Sequence, residues 1–125
     1  MNPPPRARTF WQSLAFAFAG VCHALHSQRN LRIHFGFASA AVFLGFALRI
    51  SRAEWAVVVA LIALVISLEL LNTAVEALVD LASPTFHPLA KTAKDTAAGA
   101  ILVVALGSAA AGLIIFLPRL WHLFF

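Results

Sequence analysis

Four polar side chains recur at helical spacing inside one long apolar segment of the chain. They are Glu69, Asn72, Glu76 and Asp80. At about 100° per residue, these positions fall within roughly 80° of arc on one helical face. Ionisable side chains in such a segment are costly and are usually functional. The spacing therefore predicts one functional polar stripe on an otherwise apolar helix.

A second polar group follows in the turn that leads into the next apolar segment, with Lys91, Lys94 and Asp95. Phosphoryl transfer needs cations near phosphate oxygens, carboxylates that hold magnesium, and a base that orients the attacking hydroxyl. The polar stripe and this second polar group together supply the cations, the carboxylates and the base. The sequence contains neither a G-x-x-x-x-G-K-[ST] loop nor a G-x-G-x-x-G motif. A nucleotide site would therefore differ from those of P-loop enzymes and protein kinases.

The composition indicates an integral membrane protein with a single domain, residues 1–125. Hydrophobic residues make up 62% and charged residues 11%, whereas soluble domains have about 45–50% and about 25%. The single cysteine, Cys22, excludes an intramolecular disulfide and a cysteine-cluster metal site. The net charge of +4 comes from scattered Lys and Arg without a basic run. This pattern indicates anionic lipid headgroups, and no nucleic acid, as the partner.

The hydropathy pattern predicts an all-α membrane fold with three transmembrane helices behind an N-terminal amphipathic surface helix. Ser51 is a plausible cap for the second span, the two prolines within 83–88 break the chain after it, and Pro118 with Arg119 ends the third span. A signal peptide is the alternative for the first segment, with Arg6 and Arg8 as its basic region. The predicted boundaries are about 9–28 for the surface helix and about 31–50, 55–81 and 91–117 for the spans.

The distribution of Lys and Arg predicts the orientation of the chain in the membrane. With a cytoplasmic N-terminus, six of these residues lie inside and three lie outside, as the positive-inside rule requires. The inner set is Arg6, Arg8, Arg29, Arg32, Lys91 and Lys94, and the outer set is Arg49, Arg52 and Arg119. This orientation places the polar stripe's end and the charged turn at the cytoplasmic face, where nucleotides are available.

The polar motifs resemble those of the small prokaryotic lipid kinases, a family that comprises diacylglycerol kinase and undecaprenol kinase. The resemblance covers nearly the whole chain, from about Arg8 to the end of the third span. It is carried by Glu69-Leu-Leu-Asn72-Thr-Ala-Val-Glu76-Ala-Leu-Val-Asp80, by His87-Pro88-Leu-Ala-Lys91-Thr-Ala-Lys94-Asp95, and by Asn30-Leu-Arg32-Ile-His34.

The resemblance implies a homotrimeric helical bundle with active sites shared at subunit boundaries. It also implies Mg²⁺-dependent transfer of the ATP γ-phosphate to a lipid hydroxyl, in phospholipid or cell-envelope lipid recycling. Glu69 would be the catalytic base, and Glu76 and Gln28 would lie at the magnesium site. The implied ATP-binding residues are Gln28, Glu76, His87, Lys94 and Asp95, and the supporting residues are Asn30, Arg32, Asn72 and Asp80.

One position departs from the family pattern. Gln28 stands where many members have a metal-binding glutamate. A neutral amide is a poorer magnesium ligand than a carboxylate. We therefore expect a metal site that is weaker or is completed by water.

Three alternatives stay open from the sequence. The acceptor is undecaprenol or diacylglycerol, and Asn30-Leu-Arg32-Ile-His34 is more like the undecaprenol kinase branch. Arg32 and His34 contact lipid phosphate or ATP, or they only anchor the chain at the membrane. A small ion-coupled transporter or channel subunit, with Glu69 and Glu76 as a relay, is the alternative from another class. It leaves Lys94 and Asp95 unexplained.

Overall fold

Four helices make up the fold in the computed structural model, which describes Arg6 and residues 9–125. The basic segment predicted around Arg8 lies outside the described residues. The helices are α1 (Phe10–Ser27), α2 (Arg29–Ala47), α3 (Arg52–Ala82) and α4 (Pro88–Phe124), and the described residues contain no strand. α2, α3 and α4 are long and apolar enough to cross a membrane. The prediction of an all-α protein with three spans is confirmed.

The ends of α3 follow from local sequence signals. Ser51 Oγ accepts a hydrogen bond from the Glu54 backbone N–H, and the Glu54 carboxylate accepts one from the Ser51 backbone N–H. This reciprocal capping box satisfies two backbone donors at the helix start and confirms Ser51 as the cap. α3 ends at Ala82 and α4 begins at Pro88, where a missing N–H costs no helical hydrogen bond. The predicted break between these spans is confirmed.

Pro118 does not end the last helix, and that prediction was wrong. α4 continues to Phe124 with Pro118 inside it. Beyond the proline, Arg119 donates to the Ile115 carbonyl oxygen at 2.8 Å and to both carboxylate oxygens of Glu54, each at 2.8 Å. This bidentate pair ties the end of α4 to the start of α3. Membrane helices tolerate an internal proline where neighbouring groups compensate for the lost hydrogen bond.

A tight turn joins α2 to α3. The Ile50 backbone N–H donates to the Gly45 carbonyl and the Arg49 N–H to the Phe46 carbonyl, which is the Schellman pattern of a helix C-terminus. Arg49 has a φ of 51°, a left-handed conformation that glycine adopts more easily. Trp55 packs against Gly45 so closely that an added Cβ would lie 2.7 Å from its ring. The chain therefore returns along α2 with little space between the helices.

The buried residues of α3 form one continuous line. Val58, Val65, Glu69 and Asn72 are all buried, and their spacing places them on one helical face. At one end of this line, Ile50, Val58, Ile115 and Phe116 form an apolar core. The line changes from apolar to polar at Glu69, roughly 16 Å along the helix from Val58. The stripe therefore faces the helical bundle at Glu69 and Asn72 and becomes exposed by Asp80.

Candidate active site

Glu69 is the first residue of the polar stripe along α3 and is almost fully enclosed. Its side chain is 2% exposed. His34 on α2 places Nε2 3.2 Å from Glu69 Oε1. The two groups are not aligned for a hydrogen bond, and Oε1 has no hydrogen-bond partner among the described residues. A buried carboxylate oxygen without a hydrogen-bond donor is unfavourable, so Glu69 Oε1 is open to a donor that the described residues do not supply.

Glu76 is held by two side-chain amides. Asn72 Nδ2 donates to Glu76 Oε1 at 2.9 Å from one helical turn before it. Gln28 Nε2 donates to Glu76 Oε2 at 3.2 Å from the junction between α1 and α2. We call Gln28, His34, Glu69, Asn72 and Glu76 the inner cluster. Two helices, α2 and α3, and the α1–α2 junction meet there, although the members of the cluster are up to 48 residues apart in sequence.

The inner cluster offers oxygen atoms that suit magnesium. Asn72 Oδ1 is buried and has no hydrogen-bond partner among the described residues. The Nδ2 of the same side chain donates to Glu76. Amide and carboxylate oxygens are ligands of this hard cation. No group of three His, Cys, Asp or Glu side chains within the described residues could hold a metal by itself. The residues therefore fit an ion held by one or two carboxylates together with substrate phosphates and water.

A second set of charged side chains surrounds a cavity of about 320 Å³ between the end of α3 and the start of α4. Lys94 Nζ lies 2.5 Å from Asp80 Oδ1, and Lys91 pairs with Asp95. His87 caps α4, since its Nδ1 accepts the Leu89 backbone N–H at 3.2 Å. We call this set the charged loop: Asp80, His87, Lys91, Lys94 and Asp95. Asp80 thus contacts Lys94, although the helical pattern places it on the polar stripe.

An apolar cleft of about 430 Å³ runs between α2, α3 and α4. His34 lines one end of it, together with Val65 and Ile66 from the turn of α3 that precedes Glu69. Ile115 and Phe116 line it near the apolar core. A ligand with a polar end at Glu69 and an apolar body could therefore occupy the cleft and the inner cluster together.

The remaining predicted residues lie away from the inner cluster. Arg32 donates to the backbone carbonyls of Leu25 and His26, each at 2.9 Å. It therefore holds the end of α1 against α2. Asn30 is exposed in the first turn of α2. Of the predicted site residues, the structure brings Gln28, Glu69, Asn72 and Glu76 into the inner cluster and Asp80, His87, Lys94 and Asp95 into the charged loop.

The sequence predicted that His34 contacts lipid phosphate or ATP, or anchors the chain, and it did not indicate the contact of His34 with Glu69. Its position on the inward face of α2 could have been inferred from periodicity. Leu31 is buried and His34, Phe35 and Ala38 are half-buried, which is the spacing of one helical face. A histidine on such a face is a candidate partner for a carboxylate on the facing helix.

The chain is similar to known proteins over most of its length. The sequence model of the family described as prokaryotic diacylglycerol kinase matches residues 15–116. The undecaprenol kinase of Bacillus subtilis (strain 168) is 45% identical over 111 residues, which cover 89% of this chain and 90% of that protein. The diacylglycerol kinase of Synechocystis is 39% identical over 127 residues, which cover 95% of this chain and 73% of that protein. The diacylglycerol kinase of Pseudomonas aeruginosa is 35% identical over 88 residues, covering 70% and 72%.

Proposed function

Because this chain belongs to the prokaryotic diacylglycerol kinase family of lipid kinases, we propose that it transfers the ATP γ-phosphate to the hydroxyl of a membrane lipid. The acceptor in this proposal is undecaprenol in preference to diacylglycerol. The product is the lipid monophosphate, which serves phospholipid or cell-envelope lipid recycling.

The observation that carries this proposal is the buried carboxylate of Glu69 next to the apolar cleft. A lipid alcohol presents a hydroxyl donor at the end of an apolar chain. The cleft offers an apolar surface for the chain, and Glu69 lies where the cleft meets the polar stripe. A general base must lie within hydrogen-bond reach of the proton that it removes, and this arrangement permits that reach.

Charged side chains around the junction of α3 and α4 support the nucleotide half of the reaction. Lys94 and Lys91 carry positive charge beside the cavity of the charged loop. In our proposal, ATP phosphates compete with Asp80 for Lys94, so that the lysine exchanges a carboxylate for a phosphate oxygen. Glu76 and Asn72 would hold Mg²⁺. Bound there, the ion would supply charge neutralisation at the phosphate oxygens.

The proposed step is an in-line displacement. Glu69 accepts the proton from the lipid hydroxyl while the hydroxyl oxygen forms a bond to the γ-phosphorus. The bond between the γ-phosphorus and the bridging oxygen breaks, and its electron pair leaves with ADP. The inner cluster orients the base, and the charged loop neutralises the phosphates. Positioning and charge neutralisation supply most of the catalysis in phosphoryl transfer.

Two comparisons support undecaprenol as the preferred acceptor. The relative named undecaprenol kinase is 45% identical to this chain, and the two diacylglycerol kinases are 39% and 35% identical. The segment Asn30-Leu-Arg32-Ile-His34 is also more like the undecaprenol kinase branch. His34 from this segment lines the apolar cleft and contacts Glu69, so a residue of this segment would lie at the acceptor.

We also propose a homotrimer with active sites at subunit boundaries and at the cytoplasmic face of the inner membrane. The resemblance to the family supports the trimer, and the distribution of Lys and Arg supports the orientation. Large apolar side chains are exposed along the outer faces of the single chain, among them Phe37, Phe43 and Leu106. Such surfaces suit contact with lipid or with neighbouring subunits.

The test is transfer of labelled γ-phosphate from ATP to undecaprenol and diacylglycerol, offered side by side to the full chain in bilayers with Mg²⁺. We expect labelled lipid, with more label in undecaprenol. More label in diacylglycerol would contradict the acceptor preference alone. No label in either lipid from folded protein would contradict the proposed function and would favour the ion-coupled transporter, which predicts ion flux without ATP consumption.

A further inference from the structure

His34 and Glu69 are the ionisable pair that links α2 to α3 inside the bundle. Nε2 of the imidazole and Oε1 of the carboxylate are 3.2 Å apart. In the part of the chain that the structure describes, no other basic side chain lies within ion-pair distance of Glu69. Oε1 is the Glu69 oxygen that is buried without a hydrogen-bond partner. The separation of the two atoms is within hydrogen-bond range, so an aligned Nε2–H could donate to Oε1.

The two side chains differ in their surroundings. The Glu69 side chain is 2% exposed, whereas the His34 side chain is 21% exposed and lines the apolar cleft. A carboxylate at this depth has little water to stabilise its charge, and a nearby donor is then worth more than at a surface. The imidazole is therefore placed to stabilise and orient Glu69 from the side of the cleft.

We propose that His34 is the positioning residue for Glu69, which it holds through Oε1 so that the other carboxylate oxygen receives the acceptor hydroxyl. This inference rests on the proposed function, because it assigns Glu69 as the base of that reaction. The proton moves from the lipid hydroxyl to Glu69, and His34 donates its hydrogen bond throughout the step.

The position of His34 also explains why it would act on the acceptor step and leave nucleotide binding unchanged. His34 lines the apolar cleft, whereas the candidate nucleotide cavity is lined by the charged loop and its neighbours. Glu76, the proposed magnesium ligand, contacts Asn72 and Gln28. Loss of the imidazole should therefore lower kcat with little change in the KM for ATP.

The experiment compares His34→Phe, which keeps a ring but has no donor, with His34→Gln, which keeps an amide N–H at similar reach. His122→Gln is the matched control, because His122 is exposed at the end of α4. Because H34F removes a hydrogen-bond donor to the Glu69 carboxylate, we expect it to lower kcat by about ten- to hundred-fold. The KM for ATP should stay within about two-fold, because these contacts are separate. H34Q should recover most of kcat.

A second readout separates positioning from a structural role. Exogenous imidazole should raise kcat of His34→Ala, because it can enter the space vacated beside Glu69, and should have no effect on Glu69→Gln. Wild-type kcat in H34F would overturn the inference. Equal losses in H34F and H34Q, without rescue by imidazole in folded protein, would also overturn it. A wild-type protein without phosphotransfer would instead overturn the proposed function, and this inference with it.

Discussion

Gln28 Nε2 donates a hydrogen bond of 3.2 Å to Glu76 Oε2, and this contact joins the α1–α2 junction to α3. In our proposal, this amide orients the Glu76 carboxylate, whereas a glutamate at residue 28 would add a negative charge and a second metal ligand. Glu76 would then be the main charged ligand for magnesium in the inner cluster.

Replacing Gln28 with Glu should strengthen the metal site. In a magnesium titration of phosphotransfer, we expect Q28E to reach half-maximal activity at about three- to ten-fold lower Mg²⁺, since a second carboxylate raises the ligand charge. Without Mg²⁺, Q28E should unfold at a lower temperature than wild type, because two carboxylates would face each other. Gln12→Glu adds the same charge to α1 and is the control. An unchanged magnesium requirement in Q28E would show that residue 28 does not contribute to the metal site.

Gly45 is needed for the close approach of Trp55. A Cβ at residue 45 would lie 2.7 and 2.8 Å from two ring carbons, so Gly45→Ala should destabilise the protein by about 1–3 kcal/mol through overpacking. Thermal unfolding in detergent measures this effect. Gly20→Ala is the control, since an added Cβ at residue 20 meets nothing within 4 Å. Equal unfolding temperatures for G45A and wild type would mean that the Trp55 ring moves aside freely.

Arg49 adopts a strained backbone conformation that glycine would relieve. Its φ of 51° lies in the left-handed region, which costs a residue with a Cβ about 1–2 kcal/mol. Arg49→Gly should therefore raise the free energy of unfolding by about 1 kcal/mol, after the greater flexibility of glycine in the unfolded chain is subtracted. Arg49→Ala removes the same side chain but keeps the Cβ. If R49A gained as much stability as R49G, the effect would come from the lost side chain.

Much of the fold follows from local patterns in the sequence. The apolar runs, the Ser51 cap and the two prolines after Ala82 specify the spans and their separation. Pro118 was misjudged because contacts between distant segments override its local effect. Arg119 binds Glu54, which is 65 residues earlier in the chain, and no local pattern indicates this pair.

The candidate site also combines contacts that local sequence patterns predict with contacts that depend on how the helices pack. Asn72 contacts Glu76 through helical spacing alone, so helix geometry was sufficient to place them on one face. Gln28 reaches Glu76 over 48 residues, and His34 reaches Glu69 from a different helix. Such contacts depend on how α2 packs against α3. Periodicity shows which faces turn inward, but it does not show which residues on two inward faces meet.

The central claim is that Glu69 removes the proton from the acceptor hydroxyl, and Glu69→Gln tests it most directly. The measurement is single-turnover transfer of labelled γ-phosphate to the preferred lipid, with ATP binding measured in the same preparation. The variant keeps the size of the side chain but cannot accept the proton. We expect ATP binding near the wild-type level and transfer slowed by at least about a hundred-fold, the range of general base catalysis. Transfer at the wild-type rate in E69Q would contradict the account.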